Sequence, residues 1–303
     1  MVKRKKITNW QFQLMMVLTI VVWAMAFPFI RASLKGGLSF TSLTILRFLV
    51  VCVSFAIILL IKKDIFSKLQ KRDILPIFFL GFFGVIVYHL GLNYGEQYIS
   101  AGAASLIIAT IPVFVLILAM VFLREKITLT QFFGVLLALS GVVVISIWGQ
   151  ENTVIDIKYI FAAFAVLVAA VMGAVYTVAG KKLLTRYNAL SLTVYAMLLG
   201  SIGLLPFVNF SFIDEVSRIS LNVWGAVIFL GVFSTVVGYV LWYKALEIRN
   251  ASEISVYLYA IPVLSTIISY FMFDDKVTYM FVVGGALVIL GLFLVNRKTL
   301  GKN

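Results

Sequence analysis

Short sequence patterns in the first half of this chain return in the second half at a fixed distance. Phe79-Leu80-Gly81 recurs as Phe229-Leu230-Gly231, and Ile111-Pro112-Val113 recurs as Ile261-Pro262-Val263, each 150 residues later. Further pairs at the 150-residue offset are Glu125-Lys126/Asp275-Lys276, Gly134/Gly284 and Gly141/Gly291. Nearer the start of each half the offset is 149 residues, in the pairs Phe27/Tyr176, Leu34/Leu183 and Leu43-Thr44/Leu192-Thr193. The pattern predicts two copies of one architecture.

Each half contains five apolar stretches that are long enough to cross a bilayer, for which about 20 residues are needed. The chain is 63% hydrophobic and only 12% charged, which is far from a typical soluble domain. Continuous apolar runs favour helices over a β-barrel, whose strands alternate. We place the ten segments at Phe12–Ala32, Phe40–Ile61, Ile74–Tyr94, Ser100–Leu123, Leu129–Trp148, Tyr159–Gly180, Leu190–Val208, Val223–Tyr243, Ala251–Phe273 and Tyr279–Val295.

An odd number of crossings in each half determines how the halves are oriented. The second copy must start on the opposite side of the membrane from the first. We therefore predict an all-α integral membrane protein with ten transmembrane helices, arranged as two inverted five-helix repeats over residues 9–148 and residues 157–297. Inverted repeats are typical of secondary transporters.

The net charge of +13 would fit a nucleic-acid-binding protein, but the distribution of the charges favours a membrane protein. Of the 25 Lys and Arg residues, 19 fall on one side of the predicted membrane and 5 on the other, with Arg47 inside a span. Positive residues concentrate on the cytoplasmic side. We therefore expect a multi-pass plasma-membrane protein with both termini in the cytoplasm, bound to lipid and not to nucleic acid.

The sequence lacks residues that several functional classes require. The only cysteine is Cys52 and the only histidine is His89, so an internal disulfide and an HExxH metal site are excluded, and we expect no bound metal or cofactor. The sequence contains neither the GxxxxGK[ST] phosphate loop nor the GxSxG nucleophile elbow. The chain is therefore not expected to be an enzyme.

A proline lies near the middle of the fourth span and of the ninth span, Pro112 and Pro262. Proline removes a backbone donor and clashes with the preceding turn. Matched interruptions in two halves mark the binding site of a transporter, although a packing kink inherited by both copies is the alternative. The small residues Ser105 and Ser255 precede them and are candidates either for helix packing or for lining a cavity.

Arg47 is the one charged residue inside a predicted span, and none of the 12 carboxylates lies in mid-span. A cationic substrate held by a deep carboxylate is therefore disfavoured. Arg47 could extend towards the membrane surface, hold a substrate carboxylate or lock two helices together, and we favour the lock. His89 could titrate near neutral pH, but a hydrogen-bonded interior residue is the simpler interpretation.

Aromatic and amide side chains also occur deep within the spans. Trp148, Tyr159, Trp242 and Tyr243 fit the aromatic belts at the membrane surface, whereas Trp23, Tyr176, Tyr239 and Tyr259 lie too deep for them. The polar groups of the deep residues need partners, which a water-containing cavity would provide. Tyr88 and Asn93 are further polar side chains within a predicted span.

These motifs, in this order and duplicated, resemble the EamA-type family of the drug/metabolite transporter superfamily. The resemblance covers residues 9–148 and 157–297 and is carried by residues 23–27, 46–48, 92–102, 112, 124–126, 242–246 and 259–263. It departs from the family at Asp274-Asp275, where a Gly-Glu pair is common. The resemblance implies that the first four helices of each repeat surround a central cavity, with Leu129–Trp148 and Tyr279–Val295 outside them.

The resemblance also implies export of amino acids, other metabolites or drugs. We therefore predict a permease that moves small organic metabolites, such as amino acids, by alternating access, with efflux favoured over uptake. A multidrug carrier, a nucleotide-sugar carrier and a channel are the alternatives, and a homodimer is compatible with the sequence. The candidate cavity residues are Trp23, Tyr88, His89, Asn93, Ser105, Pro112, Tyr176, Tyr239, Ser255, Tyr259 and Pro262, with Arg47 as a charged contact.

Overall fold

A computed structural model gives the structure of the protein and describes residues 8–123, 128–148, 157–273 and 277–296. All regular secondary structure in these ranges is helical. The first half contains α1 (Asn9–Lys35), α2 (Phe40–Ile61), α3 (Ile74–Gly81), α4 (Tyr88–Glu96), α5 (Ala101–Ile108), α6 (Ile111–Leu123) and α7 (Leu129–Trp148). The second half contains α8 (Ile157–Leu183), α9 (Ala189–Ser201), α10 (Phe210–Arg218), α11 (Leu221–Ile228), α12 (Gly238–Ile248), α13 (Ala251–Ser255), α14 (Ala260–Phe273) and α15 (Tyr279–Asn296).

Within the described ranges, seven helical segments are long and apolar enough to cross a membrane. They are Asn9–Lys35, Phe40–Ile61, Lys71–Glu96, Ala101–Leu118, Ile157–Leu183, Ala189–Phe207 and Leu221–Ile248. Three shorter apolar helices are Phe132–Ile145, Tyr257–Phe273 and Tyr279–Gly291. The predicted all-α membrane fold is therefore confirmed, while the number of ten spans stays a prediction.

Polar side chains fix where several helices begin. Ser39 accepts a hydrogen bond from the Ser42 backbone N–H at 3.2 Å before α2, and Ser100 accepts one at 3.1 Å before α5. Asn188 and Ser220 do the same before α9 and α11. Such caps satisfy backbone donors that the first helical turn leaves unpaired. They place the helix starts within a residue or two of the predicted ones.

Two helices at corresponding positions in the two halves each contain a π-helical segment, which was not predicted from the sequence. Phe82–Val87 joins α3 to α4, and Phe229–Val237 joins α11 to α12. Residues 82–87 correspond to residues 232–237 at the 150-residue offset. π-Helical turns are frequent at functional sites because they change which side chains face a neighbouring helix.

The predicted interruptions before the two prolines are present. α5 ends at Ile108 and α6 begins at Ile111, so the break comes directly before Pro112. Before Pro262, a 3-10 segment at Val256–Tyr259 separates α13 from α14. The motifs Glu125-Lys126 and Asp274-Asp275 lie outside the described residues.

Helices α7 and α15 pack closely at glycines and run antiparallel. A Cβ atom added at Gly141 would lie 2.5 Å from the Gly284 carbonyl oxygen, and one added at Gly291 would lie 2.5 Å from that of Gly134. Position 141 therefore faces 284 while 134 faces 291. Because Gly134/Gly284 and Gly141/Gly291 are repeat equivalents, each contact is the symmetry counterpart of the other.

A polar cluster joins the loop that follows α2 to the loop that follows α8. The buried Asp73 forms an ion pair with Arg186 at 2.8 Å and accepts a hydrogen bond from the Tyr187 hydroxyl at 2.8 Å. Tyr187 in turn accepts one from the Gln70 backbone N–H at 3.0 Å. Burial raises the pKa of the Tyr187 hydroxyl, so the hydroxyl stays protonated and donates a hydrogen bond to Asp73. The cluster links the two repeats at one end of the helices.

The opposite end of α2 has its own link between the repeats. The Ser39 backbone N–H donates to Glu215 of α10 at 2.7 Å, and Gly36 packs against the Val223 side chain. At the repeat offset, Val223 corresponds to Asp73. The two ends are therefore held by different chemistry, an ion pair with a buried carboxylate at one and a backbone hydrogen bond to Glu215 with apolar packing at the other.

Candidate functional site

The site lies between the repeats, where side chains from both halves surround a small buried cavity. The space open to the centres of water molecules is about 60 Å³. The lining comes mainly from α1, the two π-containing helices, α8 and the interrupted helices. Its members are Trp23, Ala26, Phe27, Ile30, Arg47, Gly84, Tyr88, His89, Leu92, Ile108, Ile111, Gly173, Tyr176, Thr177, Ser234, Tyr239, Trp242, Leu258 and Ile261.

His89 and Tyr239 meet at the centre of this lining, with 3.3 Å between Nε2 and the hydroxyl oxygen. The two residues are 150 positions apart, so each is the other's counterpart in its repeat. Two equivalent residues can touch only close to the axis that relates the copies. A twofold axis that related two inverted copies, as the sequence predicts, would therefore pass between His89 and Tyr239.

The remaining lining follows the same symmetry in part. Equivalent positions that both line the cavity are Phe27/Tyr176, Gly84/Ser234, Leu92/Trp242, Ile108/Leu258 and Ile111/Ile261. Most of these pairs combine a small or apolar residue in the first half with a larger or more polar one in the second. Equivalent positions of the two halves therefore line one cavity but differ in chemistry.

Arg47 is the counterpart of Ala196 at the 149-residue offset, so only the first half contributes a guanidinium. It is 2% exposed. Its Nε donates to Thr235 Oγ1 at 2.8 Å and its Nη2 to Ser234 Oγ at 3.1 Å. Both acceptors belong to the second π-helical segment. The predicted lock between helices is present, and it joins the two repeats.

Two tryptophans close one side of the cavity. The Trp23 indole N–H donates to the Ser234 carbonyl at 2.9 Å, and its ring lies 5.2 Å from that of Trp242 and 5.4 Å from that of Tyr239. The Trp242 indole N–H reaches Thr177 Oγ1 at 3.4 Å. Both indoles therefore present apolar faces to the cavity while their N–H groups have partners.

Three buried polar atoms on the lining have no hydrogen-bond partner in the described part of the chain: Arg47 Nη1, His89 Nδ1 and Tyr176 Oη. His89 is therefore only partly satisfied, contrary to the simpler interpretation of this histidine. The Tyr176 ring is fixed by stacking on Tyr243, whose ring centre is 4.9 Å away. An unmade hydrogen bond at a buried group costs about 1–3 kcal/mol, so a bound water or solute that supplied a partner to these atoms would be stabilised.

The interrupted helices contribute residues beside their prolines. Pro112 cannot donate to the Ile108 carbonyl, nor Pro262 to that of Leu258, because proline has no backbone N–H. Both Ile108 and Leu258 line the cavity. The breaks thus place residues that precede each proline by one helical turn on the cavity lining, and the role of the paired prolines in binding stays a prediction.

The structure brings together six of the predicted site residues, which are Trp23, Arg47, Tyr88, His89, Tyr176 and Tyr239. Their role in binding stays a prediction. The other six do not line the cavity: Asn93, Ser105, Pro112, Ser255, Tyr259 and Pro262. Asn93 instead donates to Thr44 Oγ1 at 2.8 Å, and Ser105 donates to the Gly102 carbonyl at 2.7 Å.

Trp242 and Tyr243 were wrongly assigned to the membrane-surface belt. Trp242 is 2% exposed and Tyr243 is fully buried, donating to the Tyr176 carbonyl at 3.2 Å. A signal was available in the sequence, because Trp242 is the counterpart of Leu92 and lies three residues beyond Tyr239. One helical turn from an axial residue is still on the inner face.

These features define a multi-pass membrane protein with a central polar and aromatic cavity between two related halves. The model of the EamA-like transporter family matches residues 11–147 and again residues 160–297. The chain belongs to this family, which is part of the drug/metabolite transporters. Its members are transporters and not enzymes.

Similar proteins support the same class. The chain is 41% identical to an uncharacterized transporter of Archaeoglobus fulgidus, over 94% of this chain and 98% of that one. It is 34% identical to a "probable terminal-alkyne amino-acid exporter" of Streptantibioticus cattleyicolor, over 95% and 94%. A crystal structure with 16% identity superposes with a TM-score of 0.65 over 98% of this chain and 100% of the other, which supports the fold alone.

Proposed function

We propose that this protein is a plasma-membrane permease that exports small organic metabolites, of the class of amino acids and related solutes, by alternating access. The observation that carries the proposal is the buried cavity on the axis between the repeats, lined by aromatic rings and by polar atoms that lack partners. Concave, mostly apolar sites with a few oriented polar groups are typical of small-molecule binding.

The arrangement of loops supports an inverted pair of repeats over residues 9–148 and 157–297. The loop between α1 and α2 is the counterpart of the loop between α8 and α9. The latter contacts the far end of α2, where Ser67 accepts from Asn188 at 3.3 Å and donates to Ser191 at 2.8 Å. With 22 residues at about 1.5 Å each, α2 spans about 33 Å. Equivalent loops thus lie at opposite ends of α2.

The antiparallel contact of α7 and α15 supports the same arrangement, because these are the fifth helices of the two repeats. Five crossings in each repeat give ten spans and place both termini on one side. The excess of Lys and Arg in the N-terminal segment and in the loops after spans two, four, six and eight makes that side the cytoplasm.

Alternating access requires the two ends of the cavity to open in turn. On this proposal the Asp73–Arg186–Tyr187 cluster closes the cytoplasmic end, and the packing of Gly36 against Val223 with the Ser39–Glu215 hydrogen bond closes the outer end. Opening inwards must break an ion pair with a buried carboxylate. Opening outwards must break apolar packing and one hydrogen bond to a carboxylate. The interrupted helices before Pro112 and Pro262 provide the bends for this motion.

Amino acids are favoured as the substrate class by the aromatic lining and by the relative named as an amino-acid exporter. A multidrug or nucleotide-sugar carrier of the same fold is the second candidate, although about 60 Å³ of water-accessible space suits a small solute in this conformation. A channel is less favoured, because within the described ranges the cavity lining contains neither a ring of charges nor a carbonyl filter.

Counterflow in vesicles tests the proposal. We expect vesicles that contain the purified protein and are loaded with unlabelled amino acid to accumulate the labelled form, with saturation at increasing concentration. Protein-free vesicles provide the control, and single-channel recording tests the channel alternative. Failure of every amino acid and related metabolite tested to exchange, in a protein that remains folded, would contradict the proposal.

A further inference from the structure

Some of the hydrogen-bond donors of Arg47 have no acceptor in the described part of the chain. The guanidinium has five N–H donors. Nε and Nη2 hold Thr235 and Ser234, but the two N–H groups of Nη1 have no partner although the residue is 98% buried and lines the cavity. A lock between helices needs only the first two contacts, so it leaves Nη1 unexplained.

The charge of Arg47 also indicates that this side chain has a function beyond the contact between helices. Among the cavity residues in the described ranges, Arg47 alone carries a permanent charge. Glu96, at the C-terminal end of α4, acts on it through space and not by a hydrogen bond to Nη1. A buried charge with unmade hydrogen bonds is costly and is typically retained for function.

We propose that Arg47 Nη1 binds the carboxylate of the transported solute. A carboxylate carries one negative charge and accepts paired N–H donors of a guanidinium, which gives short charge-assisted hydrogen bonds. A phosphate dianion would bring a second charge for which the described lining offers no second permanent cation. The inference rests on the proposed transport function and adds to it the group by which the solute is recognised.

The position of Arg47 gives this contact a further consequence. Its other two nitrogens hold Ser234 and Thr235, in the π-helical segment directly before Tyr239, and Ser234 also accepts from Trp23. A carboxylate bound at Nη1 would therefore contact the same side chain that holds the two repeats together. Binding of the charged group and the relative position of the two halves are linked through a single side chain.

The test compares solutes that differ only in the carboxyl group. Wild-type protein in vesicles is assayed with labelled leucine and labelled leucinamide, and with phenylalanine and phenylalaninamide. We expect a preference for the carboxylate of roughly 10- to 100-fold, the range for a hydrogen-bonded charge. Equal transport of acid and amide by the wild type overturns the inference and leaves the transport function standing.

Variants then assign the preference to Arg47. We expect the ratio of acid to amide transport to fall towards one in Arg47→Gln, whatever the overall rate of that variant, and Arg47→Lys to keep part of the preference. Arg218→Gln is the matched control, since Arg218 is exposed and forms an ion pair with Asp214 at 2.6 Å, away from the cavity lining. Equal loss for acids and amides in both Arg47 variants assigns Arg47 a structural role and overturns the inference. Absence of any flux in the wild type contradicts the proposed function itself.

Discussion

Replacing Gly81 by leucine is expected to prevent the protein from folding, whereas replacing Gly225 by leucine is expected to leave it intact. A side chain at position 81 would overlap the backbone carbonyl of Ala196, and its Cβ would lie 2.9 Å from the Gly200 Cα. These are backbone atoms, which cannot rotate away. Overpacking of a core costs about 1–3 kcal/mol and more where the backbone must shift.

The comparison with Gly225 separates packing from helix propensity. Both glycines lie in helices, and leucine is the better helix former at each. An added Cβ at Gly225 meets no atom within 4 Å. Size-exclusion profiles and thermal melting of the two detergent-solubilised variants measure the difference. A Gly81→Leu variant that is monodisperse and melts like the wild type would show that α3 and α9 are not packed as described.

Trp23→Ala is expected to have the largest effect on transport among the aromatic residues of the cavity. It removes ring contacts with Tyr239 and Trp242 and the hydrogen bond to the Ser234 carbonyl. Aromatic pairs contribute about 0.5–1.5 kcal/mol each and a hydrogen bond about 1 kcal/mol. Together these contacts hold the cavity wall in place with roughly 2–4 kcal/mol. Because their loss lowers the population of the arranged cavity, we expect the apparent solute affinity to fall by about 30-fold or more.

Trp23→Phe divides that effect into its parts, because it keeps one aromatic ring but loses the N–H donor and the second ring of the indole. We expect a loss of about fivefold, corresponding to one hydrogen bond. Trp10→Ala is the control, since Trp10 is 74% exposed at the start of α1. The assay is vesicle counterflow, with melting temperature measured alongside. Wild-type flux in a folded Trp23→Ala variant would remove Trp23 from the site.

The sequence predicted the helical fold well, since length and continuity of apolar runs are one-dimensional properties. It also indicated the centre of the site, because His89 and Tyr239 are deep polar residues at the repeat offset. That they touch was not predicted, although it follows once the copies are related by a twofold axis. A residue on the axis is the one residue that meets its own counterpart.

Side-chain orientation explains why several predicted site residues do not line the cavity. Asn93 and Ser105 are polar and deep, like the cavity residues, but local acceptors satisfy them: Thr44 and the Gly102 carbonyl. The π-helical segments rotate the helix that follows, and no composition signal marks them. Trp242 lies at the end of the predicted span Val223–Tyr243, which favours a place at the membrane surface, whereas the structure buries it in the cavity lining.

Labelling of single cysteines in intact cells tests the inverted arrangement most directly. In a Cys52→Ser background, exposed Lys35, Lys68, Lys182 and Arg218 are each replaced by cysteine and treated with a membrane-impermeant thiol reagent. Lys35 and Lys182 occupy almost equivalent places in the two repeats. The account predicts that positions 35 and 218 react from outside, while 68 and 182 react only after permeabilisation. Reaction of positions 35 and 182 from the same side would contradict it.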